Sequence, residues 1–234
     1  MMRSFKTLFL SQYKILLIIF LFVKLTPLDK WVFEVCNGSL ALSSTWAGFW
    51  AIMNHQGERL LNIAVMLIIN FIAYFQVENK KAYIKRFFGA LLILEIGIAV
   101  NYLLFQKVLN IYRSSPTLIY DKFISLQAIY GNPYIKVYSS NSFPSGHAFT
   151  LMFWALICYR IIPRKFMYAV VPAAILFSTN RLFSGGHWLS DIIASYILAK
   201  IWSDVYTYIR QYLFMKEFAK IHTKVSDKLI KKSR

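Results

Sequence analysis

Two histidines in this sequence lie in short polar turns whose residue types could transfer a phosphoryl group. His147 ends the segment "PSGH", and His187 and Asp191 belong to the segment "SGGHWLSD". Because residues four apart share one face of a helix, the Asp191 carboxylate is expected to hydrogen-bond one ring nitrogen of His187. The other nitrogen is then available as a nucleophile, and His147 can protonate a leaving oxygen. Together the three side chains predict phosphoryl transfer through a phosphohistidine.

Cationic and small residues near these turns are suited to hold the phosphate. Arginine guanidinium groups match phosphate oxygens in a bidentate geometry, and a Ser-Gly turn that opens a helix points backbone N–H groups at an anion. Each residue alone also has a structural explanation, such as a lipid-headgroup anchor or an exposed helix start. Their clustering favours a phosphate site formed by Arg113, Arg181, Ser145, Gly146 and Lys107.

The elements that carry these residues are predicted to be membrane-spanning helices. Hydrophobic residues make up 58% of the 234 residues, and the mean hydropathy is +0.49. Soluble domains contain only about 45–50% apolar residues, and a helix needs roughly 20 of them to cross a bilayer. The sequence therefore predicts an all-α integral membrane bundle with six spans, at about residues 10–27, 60–76, 88–105, 147–162, 166–180 and 188–206.

This map divides the chain into three regions. Residues 1–59 are expected to form an N-terminal anchor helix and an outer-face segment, residues 60–206 the catalytic bundle, and residues 207–234 a basic tail. In the tail, apolar residues recur at helical spacing among lysines, which predicts an amphipathic helix on an anionic membrane surface, with a solvated tail as the alternative. The apolar positions are Phe214, Phe218, Ile221, Val225 and Leu229.

One ion pair is predicted inside the membrane. Charged side chains within a bilayer are costly and are usually paired or functional. Glu95 in the third predicted span and Lys200 in the sixth are expected to pair with each other. A protonated Glu95 bonded to a polar neighbour is the alternative.

The net charge of +17 follows the predicted topology. Lysine and arginine are concentrated at the N-terminus, between spans two and three, between spans four and five, and in the C-terminal tail. Positive residues favour cytoplasmic loops, which places both termini in the cytoplasm and both histidine turns on the outer face. The basic excess is therefore attributed to topology, and no nucleic-acid partner is expected.

The histidine segments resemble motifs of the type 2 phosphatidic acid phosphatase superfamily, a group of membrane lipid phosphatases related to vanadium haloperoxidases. Its P-S-G-H motif is present at residues 144–147, and its S-R-x5-H-x3-D motif is present with Asn180 in place of the serine. The resemblance implies a haloperoxidase-like helical core with no metal or other cofactor. It assigns His187 as the nucleophile, Asp191 as its orienting carboxylate and His147 as the acid that protonates the leaving lipid.

The resemblance also assigns phosphate binding to Arg113 and Arg181 and to the Ser145–Gly146 turn. The family's first motif, K-x6-R-P, is altered here. Gln106 stands where the lysine is expected, Lys107 lies one residue closer to Arg113, and proline follows three residues after the arginine instead of one.

The altered segment, "RSSPTL", resembles the lipid A 1-diphosphate synthase branch of the superfamily. Members of that branch move a phosphate from undecaprenyl diphosphate to lipid A on the periplasmic face. The branch ends its second motif in P-G-D-H, whereas this chain keeps P-S-G-H. The resemblance implies a phosphotransferase of the bacterial inner membrane whose partners are undecaprenyl diphosphate, lipid A and the bilayer.

Three alternatives stay open at this point. The chain could be a hydrolase of undecaprenyl diphosphate, lipid A phosphate or phosphatidic acid, because the motifs do not separate water from a lipid as the acceptor. It could be a lipid-phosphate binder or transporter without chemistry, although such a protein needs no His/Asp pair. A vanadate-dependent peroxidase uses similar residues, but a multi-span membrane chain is a poor host for that reaction.

Overall fold

The computed structural model describes the backbone of residues 2–232 and the side chains of residues 11–213, 215 and 216. Within this part of the chain nearly every element is helical, and no strand forms beyond an isolated bridge between His55 and Ile135. The helices are α1 (Met2–Leu25), α2 (Leu28–Gly38), α3 (Ser44–Met53), α4 (Glu58–Gln76), α5 (Lys80–Tyr102), α6 (Leu126–Tyr130), α7 (Gly146–Ile161), α8 (Met167–Ser184) and α9 (Leu189–Lys232). A π-helical turn, Leu103–Val108, extends α5, and 3-10 turns occupy Ser39–Ala41, Pro116–Leu118 and Arg164–Phe166.

The protein is a membrane-embedded helical bundle. Three segments of the described chain are long and apolar enough to cross a bilayer: 58–76, 80–108 and 164–184. Helix α7 is apolar but has only 16 residues. Each of the six predicted spans overlaps a helix of 16 residues or more, so the all-α class is confirmed, while the number of six spans stays a prediction.

Helix α4 shows how the bilayer replaces water around the bundle. Its outward face carries Leu60, Ile63, Leu67 and Phe71, which are 52–73% exposed. Its inward face carries five buried residues at nearly helical spacing, three of them polar or charged, namely Glu58, Asn62, Met66, Asn70 and Ala73. Apolar residues outside and polar residues inside are favourable only where the surroundings are lipid, because buried polar groups then bond to neighbouring helices.

The core is built around α7, which packs against α8, α9 and α5. Phe149, Phe153 and Ile157 of α7 are almost completely buried. Gly97 lets α5 approach closely, since a Cβ atom there would lie 3.0 Å from the Phe149 ring and 3.1 Å from the Trp202 ring. This contact holds the start of α7, and therefore the "PSGH" turn, at one end of the bundle; that end is called the histidine end below.

At the opposite end Asp204 of α9 connects three helices. It accepts hydrogen bonds from Arg160 of α7 at 2.7 Å and from Tyr13 of α1 at 2.6 Å. Lys200, one turn earlier on α9, bonds the same carboxylate at 2.9 Å. The predicted pairing of Lys200 with Glu95 is therefore wrong, because a carboxylate four residues away on the same helix is nearer and Glu95 lies exposed on α5.

One helix, α9, crosses the predicted boundary between bundle and tail at residue 206. The side chains at 214 and at 217–234 lie outside the described residues, and they include all five apolar positions of the predicted amphipathic surface. The surface helix and the three-region division of the chain therefore stay predictions.

Replacing Asp204 by asparagine is expected to lower the thermal unfolding midpoint in detergent. The change removes the negative charge that bonds Arg160 and Lys200, and because these pairs are only part-buried the expected cost is about 1–3 kcal/mol, between that of an exposed and a buried pair. The matched control is Glu95→Gln, which neutralises an exposed carboxylate of the same bundle. Equal midpoints for the two variants would show that Asp204 does not connect the helices.

Candidate functional site

A glycine turn between α8 and α9 presents His187. Gly185 ends α8 in the left-handed region at φ 75°, where a Cβ atom would lie 2.4 Å from the Thr117 side chain. Nδ1 of His187 lies 2.8 Å from the backbone oxygen of Ser142. Because a carbonyl oxygen can only accept, Nδ1 carries a proton, and in the neutral ring Nε2 then keeps its lone pair. The predicted nucleophile is therefore held in the tautomer that nucleophilic attack requires.

Asp191 lies beside His187 but does not make the predicted hydrogen bond. Its Oδ2 is 3.6 Å from Nδ1 of His187 and accepts instead from the backbone N–H of Trp188 at 2.9 Å. Helix α9 starts at residue 189, so a carboxylate in its first turn is drawn to the unpaired N–H groups at the helix start. Ser142 orients the ring in its place.

Arg113 is held between two buried carboxylates. Its NH1 lies 2.6 Å from Oδ1 of Asp191 and 2.6 Å from the hydroxyl of Ser190, and its NH2 lies 2.8 Å from Oδ2 of Asp29. The guanidinium carbon also lies 4.7 Å from the centroid of the Trp188 ring. Sequence reasoning missed Asp29 and Ser190. The position of Asp29, two residues after the first predicted span, could have indicated a partner for an arginine at the same end of the bundle.

His147 lies at the start of α7, opposite a third buried carboxylate, that of Glu58. Ser145 is the N-cap, and its hydroxyl accepts from the N–H of Ala148. Nε2 of His147 lies 2.9 Å from Oε1 of Glu58 and 3.1 Å from the side-chain amide nitrogen of Asn62. Sequence reasoning missed both partners, even though Glu58 lies only two residues before the second predicted span.

Arg181 occupies the last turn of α8 and is buried near the same carboxylate. Its NH2 lies 3.7 Å from Oε2 of Glu58, and its NH1 lies 3.5 Å from the backbone oxygen of Lys136. Burial lowers the pKa of Lys136, and Arg59 and Arg181 lower it further, whereas Glu58 opposes the shift. Three cations thus act electrostatically on the region of one carboxylate, which leaves a positive potential for an anionic ligand.

Lys107, the remaining predicted phosphate ligand, is not brought into this group. It lies exposed on the π-helical turn after α5, with its ammonium 6.0 Å from the centroid of the Tyr102 ring. Among the described residues no contact joins it to Arg113 or to either histidine. Moving a residue by one position on a helix rotates its side chain by roughly 100°, which accounts for the difference from the family's spacing.

Residues 112–215 match the PAP2 superfamily, the type 2 phosphatidic acid phosphatases. This part of the chain is a PAP2-superfamily domain. It contains both histidines, both arginines and Asp191, so the residues that carried the resemblance fall within the matched region.

Two solved structures share the fold of the PAP2 domain and most of the rest of the chain. A transmembrane PAP2-type phosphatidylglycerolphosphate phosphatase from Bacillus subtilis matches with a TM-score of 0.55 and 14% identity, covering 87% of this chain and 96% of its own. LpxE from Aquifex aeolicus matches with a TM-score of 0.52 and 14% identity, covering 75% and 92%. No curated protein is significantly similar in sequence.

Residues before the PAP2 domain complete the site. Asp29, Glu58 and Asn62 belong to α2 and α4, which precede residue 112. The substitution of Asn180 for the motif serine also has a structural role: its side chain donates to the backbone oxygen of Met53 at 2.6 Å. These contacts attach the earlier helices to the domain's histidine end.

The "SPT" part of the altered first motif supports the PAP2 domain's histidine turn. Ser115 and Pro116 are almost completely buried. The Thr117 hydroxyl lies 2.6 Å from the backbone oxygen of Val137 and 3.3 Å from that of Gly185. The motif therefore packs beneath the turn that presents His187.

Gly185→Ala is expected to destabilise the protein more than Gly131→Ala does. Both glycines have positive φ, but a Cβ atom at Gly131 meets nothing within 4 Å, whereas one at Gly185 would clash with Thr117. The Gly131 variant carries only the backbone cost of about 1–2 kcal/mol, and the Gly185 variant adds overpacking of about 1–3 kcal/mol. Thermal unfolding midpoints in detergent measure the difference; equal shifts would contradict the packing described for this turn.

Proposed function

We propose that the protein is an enzyme that removes the terminal phosphate from membrane lipid phosphates through a phosphohistidine at His187. The observation that carries this proposal is the 2.8 Å hydrogen bond from Nδ1 of His187 to the Ser142 carbonyl oxygen, which leaves Nε2 as a nucleophile. The membrane-embedded bundle and the PAP2 domain support a lipid as the substrate. The phosphatase named for the Bacillus subtilis neighbour agrees with the same reaction class.

In the first step Nε2 of His187 attacks the terminal phosphorus. The N–P bond forms as the bond from phosphorus to the leaving lipid oxygen breaks, and His147 donates a proton to that oxygen. Arg181 and the N–H groups at the start of α7 stabilise the charge on the phosphoryl oxygens. Arg113, which is paired with Asp191, also binds the phosphoryl oxygens. The proposal includes no metal ion and no cofactor.

In the second step an acceptor oxygen attacks the phosphohistidine. The N–P bond breaks, a new O–P bond forms, and the acceptor's proton passes to His147. We propose undecaprenyl diphosphate as the donor and lipid A as the acceptor, with the bacterial inner membrane as the location and the periplasmic side as the face of the site. The resemblance of "RSSPTL" and the distribution of lysine and arginine support these choices.

Water is the alternative acceptor. The packing of Ser115 and Thr117 beneath the histidine turn favours hydrolysis, because it explains the motif without any contact to a second lipid. Undecaprenyl diphosphate, lipid A phosphate and phosphatidic acid are the candidate substrates of such a hydrolase.

Transfer of labelled phosphate tests both versions. Purified protein in detergent is given undecaprenyl diphosphate labelled at its terminal phosphate, with and without lipid A. We expect the label on lipid A, and we expect His187→Ala to reduce turnover on the order of 10⁴-fold or more, because the variant lacks the nucleophile. His222→Ala is the matched histidine control and is expected to keep wild-type turnover.

The position of the label decides between the acceptors. Label that appears only as free phosphate, whether or not lipid A is present, makes the protein a hydrolase. Full turnover by the His187 variant would overturn the phosphohistidine and with it the proposed function.

A further inference from the structure

The Glu58 side chain is completely buried, yet it contacts two residues of the proposed site. Oε1 lies 2.9 Å from Nε2 of His147, and Oε2 lies 3.7 Å from NH2 of Arg181 without a hydrogen bond. Burying a carboxylate costs several kcal/mol unless nearby charges and hydrogen bonds offset the loss of water. The position of Glu58 therefore depends on the histidine and arginine that it touches.

Helix α4 aims this carboxylate at the site. Glu58 is the first residue of α4, where the helix dipole favours a negative charge. Asn62, one turn later on the same face, donates its side-chain amide to Oε1 of Glu58 and restrains the carboxylate. Both residues precede the matched PAP2 region, so none of the motifs assigns them a role.

We propose that Glu58 is a positioning residue for His147: it holds the Nε2–H group and stabilises the charged imidazolium, so that Nδ1 delivers the proton to the leaving lipid oxygen. A carboxylate can only accept, and a charged imidazolium donates from both ring nitrogens. Within the described residues Nδ1 of His147 has no hydrogen-bond partner, so it is the nitrogen left for the substrate. The inference rests on the proposed function.

The surrounding charges explain why this carboxylate is needed. Arg181 of α8 lies next to Glu58, and Arg59 and Lys136 act on the same region. Asp191, on α9, is already paired with Arg113. Without Glu58, Arg181 would lose its neighbouring carboxylate, and the Nε2–H group of His147 would lose the acceptor that holds the ring.

The proton balance of the reaction leaves Glu58 unchanged. In the first step the Nδ1 proton of His147 moves to the leaving oxygen as the phosphorus–oxygen bond breaks, and the N–P bond to His187 forms. In the second step the acceptor's proton returns to Nδ1 as the N–P bond breaks. Glu58 remains ionised throughout and acts only through His147.

Leaving-group dependence tests this role. Dodecyl phosphate needs a proton on its departing oxygen, whereas 4-dodecyl-2-nitrophenyl phosphate has the same chain but releases a stable nitrophenolate. For Glu58→Gln we expect kcat on dodecyl phosphate to fall about 100-fold and kcat on the nitrophenyl ester to fall less than about fivefold, because general-acid catalysis matters only for the poor leaving group. Glu34→Gln, at a carboxylate that is 57% exposed on α2, is the matched control and keeps wild-type rates on both.

A second variant guards against a folding defect. Asn62→Leu keeps the Glu58 carboxylate and the His147 ring and removes the amide that donates to Glu58 and lies 3.1 Å from Nε2 of His147. We expect about a tenfold loss confined to dodecyl phosphate, since general-acid positioning is weakened and not abolished. Equal losses on both esters in either variant, at unchanged unfolding midpoints, would show a structural role and overturn the proposal. Unchanged rates in Glu58→Gln would overturn it as well.

The same experiment separates this inference from the proposed function. If wild-type protein releases phosphate from both esters and only the selectivity of the Glu58 variant fails, the function stands and the role of Glu58 does not. If wild-type protein releases no phosphate from either ester or from undecaprenyl diphosphate, the proposed function is overturned and the role of Glu58 with it.

Discussion

The histidine end depends on one arginine held between two buried carboxylates. Arg113 bonds Asp29 of α2 and Asp191 of α9, so the loop before α6 is fixed to two helices at once. The backbone oxygen of Arg113 accepts from the N–H of Ser142 at 2.7 Å, and the Ser142 oxygen accepts from His187. Removing three charges from water is favourable only when short charge-assisted bonds replace the lost hydration. The orientation of the proposed nucleophile therefore follows from the position of Arg113.

The two histidines are arranged by different kinds of acceptor, which suits their different proposed roles. His187 donates to a backbone carbonyl oxygen, which fixes the tautomer, and the Asp191 carboxylate lies 3.6 Å from the same nitrogen without a hydrogen bond. His147 faces the carboxylate of Glu58, which can only accept and therefore suits a ring nitrogen that carries a proton. The proposed reaction needs a lone pair on the first histidine and a proton on the second. The difference arises from the acceptors, since the two side chains are chemically identical.

The lipid around the bundle determines where the polar side chains of the site can lie. Helix α4 turns Leu60 and Phe71 outward and Asn70 inward, and only its first turn brings a carboxylate to the histidine end. Backbone groups within a bilayer must be satisfied inside a helix, so irregular turns such as the segments before His147 and His187 are favoured where helices begin and end. A lipid phosphate lies at that same depth, which is consistent with the proposed substrate.

The sequence by itself determined the helices, the histidine turns and the motifs of the PAP2 domain, because these depend on residues a few positions apart. Apolar runs and capping residues are local, and His187 and Asp191 lie one helical turn apart wherever the helix packs. The tertiary structure decided which groups hold the histidines. Ser142 lies 45 residues from His187, and Glu58 lies 89 residues from His147. No local pattern encodes such contacts, because they form only when α4 packs against α8 and the turn before α7 folds back on the start of α9. That packing brings the Ser142 carbonyl oxygen to His187, and this bond replaces the bond to Asp191 that the spacing predicted.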